Sequence, residues 1–183
     1  MSITVIFSDF GDTDTKVLAA LWENIPDVKL LHITKNSRDV KRKMIQAMVG
    51  EKDTILFCGH GTSGGLLSPT WGDLVLSEEN VRHIAARRVI GIWCHGAQFA
   101  ESVGLKGFFS SMFISNIREA YMEGCTKSSP EVITEQEELF CRRVNRLLLD
   151  NVPLEKWLEA LRSQADRSID VVRFNYDGLR YFG

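Results

Sequence analysis

Two residues that could act together in catalysis each follow an apolar run of the sequence. His60 comes after residues 54–58, and Cys94 comes after residues 89–93, 34 positions further along the chain (94 minus 60). A thiolate is the nucleophile of cysteine chemistry, and an imidazole beside it can take its proton and return it later. The two residue types together predict nucleophilic catalysis, with Cys94 as the nucleophile and His60 as the general base or acid.

Glycine follows both candidates closely. Gly61 is next to His60, and Gly96 lies two positions after Cys94. Because glycine has no side chain, a ligand can approach the backbone closely at such positions. We expect the backbone N–H groups of Gly61 and Cys94 to point into one space and to stabilise an oxyanion there.

Both candidates must lie at neighbouring strand ends if they are to meet. The two apolar runs are bounded by glycine and are apolar on both faces, which is typical of parallel strands covered by helices on each side. The 34 positions between His60 and Cys94 leave room for a crossover, which needs about a dozen residues or more. Because open parallel sheets carry their chemistry beyond the carboxyl ends of the strands, we expect both side chains at one edge of a sheet.

The first 124 residues repeat this pattern of strand and helix. The predicted order is β-α-β-α-β-α-β-α, which indicates an α/β fold, a three-layer sandwich with a mainly parallel central sheet. The predicted strands are residues 3–7, 28–33, 54–58 and 89–93. Three of the predicted helices start after a capping residue: Asp12 or Thr13, Asn36 or Ser37 (ending at Gly50), and Ser77. The fourth predicted helix is an apolar stripe from Phe108 to Tyr121.

Residues 125–183 depart from the alternation. A loop over 125–133 is followed by a helix that a capping box of Thr134 and Glu137 would start, and Pro153 suits the first turn of another helix. Asp177-Gly178 between two apolar runs predicts a β-hairpin. The chain has no internal repeat or linker, so we expect one domain over 1–183, with its core in 1–124.

The composition narrows the classes of partner. The formal net charge is −2 at pH 7, with no basic run that would favour nucleic acid or an anionic membrane. We find no secretory signal and no run near the roughly 18 apolar residues of a membrane helix. The four cysteines have no regular spacing, so we expect reduced thiols and a cytoplasmic location.

The two strand ends resemble those of the caspase-like cysteine peptidases, nearest to the CHAT-type and the gingipain- or clostripain-like branches. In those proteins an apolar strand ends in His-Gly and a second apolar strand ends in the nucleophilic cysteine, as residues 57–61 and 90–94 do here. The resemblance covers residues 3–124 in element order. It implies hydrolysis of peptide bonds in a peptide or protein substrate by His60 and Cys94, without a metal or cofactor.

The same resemblance implies a place for substrate recognition. In caspase-like peptidases, the loop after the first strand helps to line the pocket for the residue before the scissile bond (P1). That loop holds Asp9, Asp12 and Asp14 here. We expect Asp12 or Asp14 to cap a helix and Asp9 to contribute to the pocket, where a carboxylate would favour Lys or Arg.

Other interpretations of these residues stay open. Trp93 and His95 depart from the residues common around the cysteine in the family, which leaves a catalytically inactive binding or signalling module as an alternative. Zinc is a further alternative, with Cys58, His60, Cys94 and His95 as ligands. Residues 94–98 also resemble the nucleophile turn of class I glutamine amidotransferases, but those enzymes take a histidine from downstream, and no histidine follows His95. The glycine-rich residues 59–65 could cradle a phosphate, but they lack the Gly-Lys-Ser/Thr ending of a P-loop.

Overall fold

A six-stranded mixed sheet is the centre of the fold. This computed structural model describes residues 2–50, 52–70 and 73–183. The strands of the sheet are β1 (Ile3–Ser8), β2 (Val28–Ile33), β3 (Thr54–Gly59), β7 (Arg88–Ile92), β8 (Gly107–Phe109) and β9 (Arg180–Phe182). Their spatial order is β2-β1-β3-β7-β8-β9, and every pair is parallel except β8 and β9. The four predicted strands are confirmed to within one residue at each end.

Helices connect and cover these strands. They are α1 (Thr13–Val17, continued by a 3-10 segment Leu18–Leu21), α2 (Val40–Val49), α3 (Gly96–Val103), α4 (Ile117–Met122), α5 (Pro130–Leu149), α6 (Trp157–Ser163, preceded by a 3-10 segment Leu154–Lys156) and α7 (Asp170–Asp177). The cap predicted for α1 is confirmed, because the Asp12 side chain accepts the Thr15 N–H. The cap predicted for α2 is wrong: Asp39, in a left-handed backbone conformation, precedes the helix instead. Gly50 ends α2 as predicted.

The sheet buries both of its faces. One hydrophobic cluster combines alternate strand residues such as Val5 and Leu56 with the 3-10 segment after α1 and with α5, α6 and α7. The second cluster takes the intervening residues, such as Ile6 and Phe57, and packs them against α2 and α3. Burial on both faces explains why these strands are continuous apolar runs rather than alternating ones.

The connection from β3 to β7 differs from the prediction. The sequence predicts a loop and a short helix, but the structure has a small antiparallel sheet of β4 (Gly61–Thr62), β5 (Gly65–Leu67) and β6 (Leu74–Leu76), followed by a 3-10 turn at Val81–His83. Leu66, Val75 and Leu76 of this sheet are buried in the second cluster, which is the physical reason that the segment is ordered. Trp71 and Gly72 of the predicted loop lie outside the described residues.

The helical stripe predicted from Phe108 to Tyr121 is wrong. Helix α3 follows Cys94 directly, β8 comes next, and α4 starts only at Ile117. Phe108 and Phe109 are both fully buried, but in different clusters on opposite faces of the sheet. Adjacent residues that face opposite ways belong to a strand, because successive side chains of a strand alternate.

The C-terminal region corrects two further predictions. Helix α5 begins at Pro130 after the Ser129 cap, one turn before Thr134, so Glu137 lies inside the helix and is buried rather than capping it. The predicted hairpin at Asp177-Gly178 is also wrong. Residues 170–177 form α7, whose buried side chains recur at helical spacing, and Gly178 ends that helix.

Asn175 of α7 fixes the segment between β8 and α4. Its side-chain oxygen accepts the Ile114 N–H (2.7 Å), and its side-chain nitrogen donates to the Ile114 carbonyl (3.0 Å). Asn175 is buried, so these bonds are shielded from water.

Within the described part of the chain, no helix has the length and apolar character needed to cross a membrane.

Candidate functional site

The strand register places His60 across from Cys94. Strands β3 and β7 are adjacent and parallel, and Cys58 pairs with Ile92. Two residues beyond this pair are His60 and Cys94, at the carboxyl edge of the sheet. Both side chains are partly exposed, and both line one cavity of about 30 Å³, which has room for a water molecule or two. The cavity lining is Asp14, Thr15, Leu18, Gly59, His60, Ile92, Trp93, Cys94, Phe113, Ser115 and Glu137.

Asp12 orients the imidazole of His60. His60 Nε2–H donates to Asp12 Oδ2 at 2.8 Å, and the ring packs edge-on against Phe10. Asp12 also accepts hydrogen bonds from the Thr15 N–H (2.8 Å) and hydroxyl (2.7 Å). Burial raises the pKa of Asp12, but the hydrogen bonds from Thr15 and His60 outweigh burial and hold it below its ordinary value. With Nε2 protonated, Nδ1 is the ring nitrogen that can accept a proton.

The pairing of Asp12 with His60 is a feature that the sequence interpretation missed. The sequence predicts only a helix cap for Asp12, whereas the structure shows it both capping α1 and bonded to His60. The signal is the spatial order of the strands, which belongs to the folded sheet and is not given by the sequence. β1 lies next to β3, with Ser8 paired to Gly59, so the residues just after β1 come close to His60.

Cys94 is held as a thiol by its surroundings. It is the least buried of the four cysteines, and its Sγ donates to the Phe113 carbonyl at 3.5 Å. Burial raises the pKa of Cys94 to about 11, and the carboxylates of Glu119, Glu137 and Asp14 add to this shift. Reaction at Cys94 therefore requires a base to take the proton or a ligand that changes these charges.

The backbone after Cys94 turns sharply into helix α3. His95 adopts a left-handed conformation (φ 66°), and α3 begins at Gly96. Ser110 fixes the turn, because its hydroxyl accepts the Trp93 N–H (3.0 Å) and donates to the Trp93 carbonyl (2.9 Å). A thiolate just before a helix N-terminus is favoured by the helix dipole, but here burial and the carboxylates have the larger effect on the pKa.

Trp93 packs tightly against the glycines of both turns. A Cβ atom placed on Gly61 would lie 2.0 Å from the Trp93 ring, one on Gly91 would lie 2.4 Å from it, and one on Gly96 would lie 3.1 Å from it. The Trp93 indole fills the space on the side of each glycine where a side chain would begin, so the expectation that Gly61 and Gly96 leave room for a ligand is wrong on that side. The buried indole instead joins the turn that carries His60 to the turn that carries Cys94.

Three carboxyls form an acidic wall beside Cys94: Asp14 and Glu137 line the cavity, and Glu119 is bonded to Ser115, which also lines it. Asp14 Oδ2 accepts hydrogen bonds from Asn116 Nδ2 (2.9 Å) and the Ser115 hydroxyl (3.2 Å). Glu119 Oε2 accepts the Ser115 N–H (2.9 Å). Glu137 of α5 is buried, and among the described residues its carboxyl accepts no hydrogen bond. In this wall, the carboxyls of Asp14 and Glu119 accept hydrogen bonds, whereas the carboxyl of Glu137 accepts none from the described residues.

Asp9, the residue expected in the P1 pocket, has other contacts. It accepts a hydrogen bond from His32 Nε2 (2.7 Å) and one from the Gly11 N–H (2.7 Å). Burial raises the pKa of Asp9, but the bonds from His32 and Gly11 outweigh this and lower it. Asp14, not Asp9, is the aspartate in the cavity lining.

The four candidate zinc ligands do not converge. Cys58 is fully buried, and its Sγ lies 3.9 Å from the Ile6 carbonyl oxygen, inside the first hydrophobic cluster. His95 is not part of the cavity lining. Within residues 2–50, 52–70 and 73–183, no three His, Cys, Asp or Glu side chains are grouped in a way that could hold a metal ion.

No protein-family model, curated protein or solved structure matches this chain. The geometry and charges of the cavity are therefore the evidence for its function.

Proposed function

We propose that this chain is a cysteine endopeptidase of the caspase-like type, with Cys94 as the nucleophile and His60 as the general base and acid. The observation that carries the proposal is the shared cavity at the carboxyl edge of β3 and β7, where His60 is oriented by Asp12. A nucleophile, a base and a group that orients the base are the parts that covalent acyl transfer requires.

The proposed reaction uses these groups in sequence. His60 Nδ1 takes the proton of Cys94 Sγ as the sulfur attacks the peptide carbonyl carbon. The backbone N–H groups of Gly61 and Cys94 stabilise the resulting oxyanion. His60 then gives its proton to the leaving amine, and a water molecule, deprotonated by His60, hydrolyses the thioester and regenerates the thiol. The substrate is a peptide or protein, and a cytoplasmic location would keep the four thiols reduced.

A second candidate is a binding or signalling module with the same fold and no catalysis. The pKa of Cys94, raised to about 11, favours this alternative, because very little thiolate is present at neutral pH. In that case His60 would not change the reactivity of Cys94.

Fluorogenic peptides that vary only at P1 test the proposal. We expect Cys94→Ala and His60→Ala to lower kcat/KM by about 10³-fold or more, with little change in unfolding temperature. Cys125→Ala and His83→Ala are the matched controls, since both side chains lie outside the cavity lining. Turnover retained by purified Cys94→Ala protein would refute the proposal.

The rate of alkylation by iodoacetamide separates the enzyme from the module. An enzyme requires labelling of Cys94 that slows in His60→Ala, because the imidazole assists ionisation of the thiol. Labelling of Cys94 at the same rate with and without His60 would support the module.

A further inference from the structure

Glu137 is a buried carboxyl group that the proposed reaction does not use. It lies in the middle of α5, is 4% exposed, and lines the cavity that holds His60 and Cys94. In the described part of the chain, its oxygens accept no hydrogen bond. These oxygens are not fully enclosed by the described residues, so they open into the cavity, where a ligand can supply a hydrogen-bond partner.

The groups that face Glu137 come from every element around the cavity. Asp12 and Asp14 lie at the start of α1, Glu119 lies on α4, and Cys94 and His60 follow β7 and β3. Cys141 is one turn further along α5. Burial, followed by the charges of Asp14, Glu119 and Asp12, raises the pKa of Glu137 to about 9. The charged groups that contribute to this shift are all acids, and the cavity lining includes no Lys or Arg.

The size and charge of the cavity favour one ligand chemistry. An ammonium group is a compact cation with three donors, about the size of a water molecule, whereas a guanidinium is a wide planar fork. A cavity of about 30 Å³ accommodates the ammonium more readily than the guanidinium. An ammonium group would supply hydrogen-bond donors to Glu137 and to Asp14.

We infer that Glu137, together with Asp14, binds a primary ammonium group of the ligand, such as the end of a lysine side chain. The inference rests on the proposed function, since a peptidase substrate would present such a group at P1. Glu137 is then a specificity-determining residue beside the nucleophile, supplied by α5, outside the part of the chain that resembles caspase-like peptidases.

Binding of the ammonium group must release a proton. Without a ligand, Glu137 is the neutral acid at neutral pH, and an ammonium ion beside it favours the carboxylate. The proton passes to the buffer as the ion pair forms. The affinity for the ammonium ligand therefore rises as the pH increases toward 9, and it falls again when the amine loses its own charge, near pH 10.

Titration calorimetry with Nα-acetyl-lysine methylamide tests this inference at pH 7.5. In two buffers of different ionisation enthalpy, the full chain is expected to release about one proton per ligand bound. The norleucine analogue, which has a similar chain without the charge, is expected to bind at least about tenfold more weakly. Glu137→Gln should weaken binding of the lysine ligand and remove the proton release, whereas Glu135→Gln, an exposed position on the same helix, should change neither.

Equal affinity for the lysine and norleucine ligands would overturn the inference, and so would proton release that persists in Glu137→Gln. If Glu137→Gln fails to fold, Asp14→Asn must weaken binding of the lysine ligand more than binding of the norleucine ligand. The readouts separate this inference from the proposed function. Lysine binding with proton release but no cleavage would refute only the peptidase, and Cys94-dependent cleavage without preference for lysine would refute only the role of Glu137.

Discussion

The two sides of the cavity differ in how well their polar groups are satisfied. On the His60 side, Asp12 accepts three hydrogen bonds and fixes the ring. On the Cys94 side, the partly exposed thiol and the buried Glu137 lie among acids, and both groups hold protons at neutral pH. The difference indicates that the base is already positioned, whereas the nucleophile stays protonated until a base takes its proton. In the proposed enzyme, that base is His60.

The tight packing that joins the two sides gives the largest expected effect on stability. Gly61→Ala would place a Cβ atom 2.0 Å from the buried Trp93 ring, and we expect a loss of about 3 kcal/mol in the free energy of unfolding. Gly64→Ala is the matched control. Its nearest neighbour would be Thr62 Oγ1 at 3.4 Å, so its effect should stay within about 0.5 kcal/mol. Urea denaturation measures both, and equal stabilities would contradict the role of Trp93.

Stability as a function of pH tests the Cys94 side. Because the pKa of Glu137 is raised to about 9 from its ordinary value of 4.5, the folded chain keeps a proton that the unfolded chain loses between these values. The free energy of unfolding must therefore fall as the pH rises from 5 to 9, by an amount on the order of a few kcal/mol.

Glu137→Gln should remove this slope, because glutamine does not titrate. Glu135→Gln should keep the slope, because Glu135 is exposed. Urea midpoints measured across this pH range distinguish the two variants. A slope that is the same in wild type and Glu137→Gln would show that the carboxyl is ionised in the folded chain.

Asp12→Asn tests the His60 side and has the smallest expected effect. Asparagine caps a helix as well as aspartate does, so α1 should keep its stability. Loss of the negative charge beside His60 should lower kcat/KM by about tenfold, because the imidazolium formed during reaction is no longer stabilised.

Asp9→Asn is the matched control for Asp12→Asn, since Asp9 pairs with His32 at a similar distance (2.7 Å). We expect it to leave kcat/KM for uncharged P1 residues unchanged. It also tests the prediction that Asp9 contributes to the P1 pocket. A loss confined to Lys and Arg substrates would support that prediction, and a loss for all substrates as large as that of Asp12→Asn would contradict the distinction between the two aspartates.

The elements that the sequence predicts well are those with an unambiguous apolar pattern. The runs that became β1, β2, β3 and β7 are bounded by turn residues, and their ends place His60 and Cys94 at one edge. Phe108 and Phe109 fit either a helix or a strand, so only their burial on opposite faces decides between the two. Asp177-Gly178 indicates a hairpin locally, but the packing of α7 against the core prevails.

The sequence pattern around Glu137 predicts a different role from the one that the structure shows. Thr134 and Glu137 have the spacing of a capping box, but Ser129 and Pro130 start the helix one turn earlier. Because the helix starts one turn earlier, Glu137 lies within the helix, on its buried face, rather than at the helix start. Burial and the surrounding carboxylates, which set its charge, are properties of the assembled fold and are not visible in the sequence.

The two hydrogen bonds between Asn175 and Ile114 bear on when the cavity is completed during biosynthesis. Phe113 and Ser115, on either side of Ile114, line the cavity, and their segment is fixed by a residue made long after every cavity-lining side chain. A ribosome-bound chain that has emerged only through α5 would therefore contain His60, Cys94 and Glu137. It would lack Asn175, which holds the cavity-lining segment around Ile114 in place. Competence for ligands would be acquired late in translation, after α7 has emerged and docked.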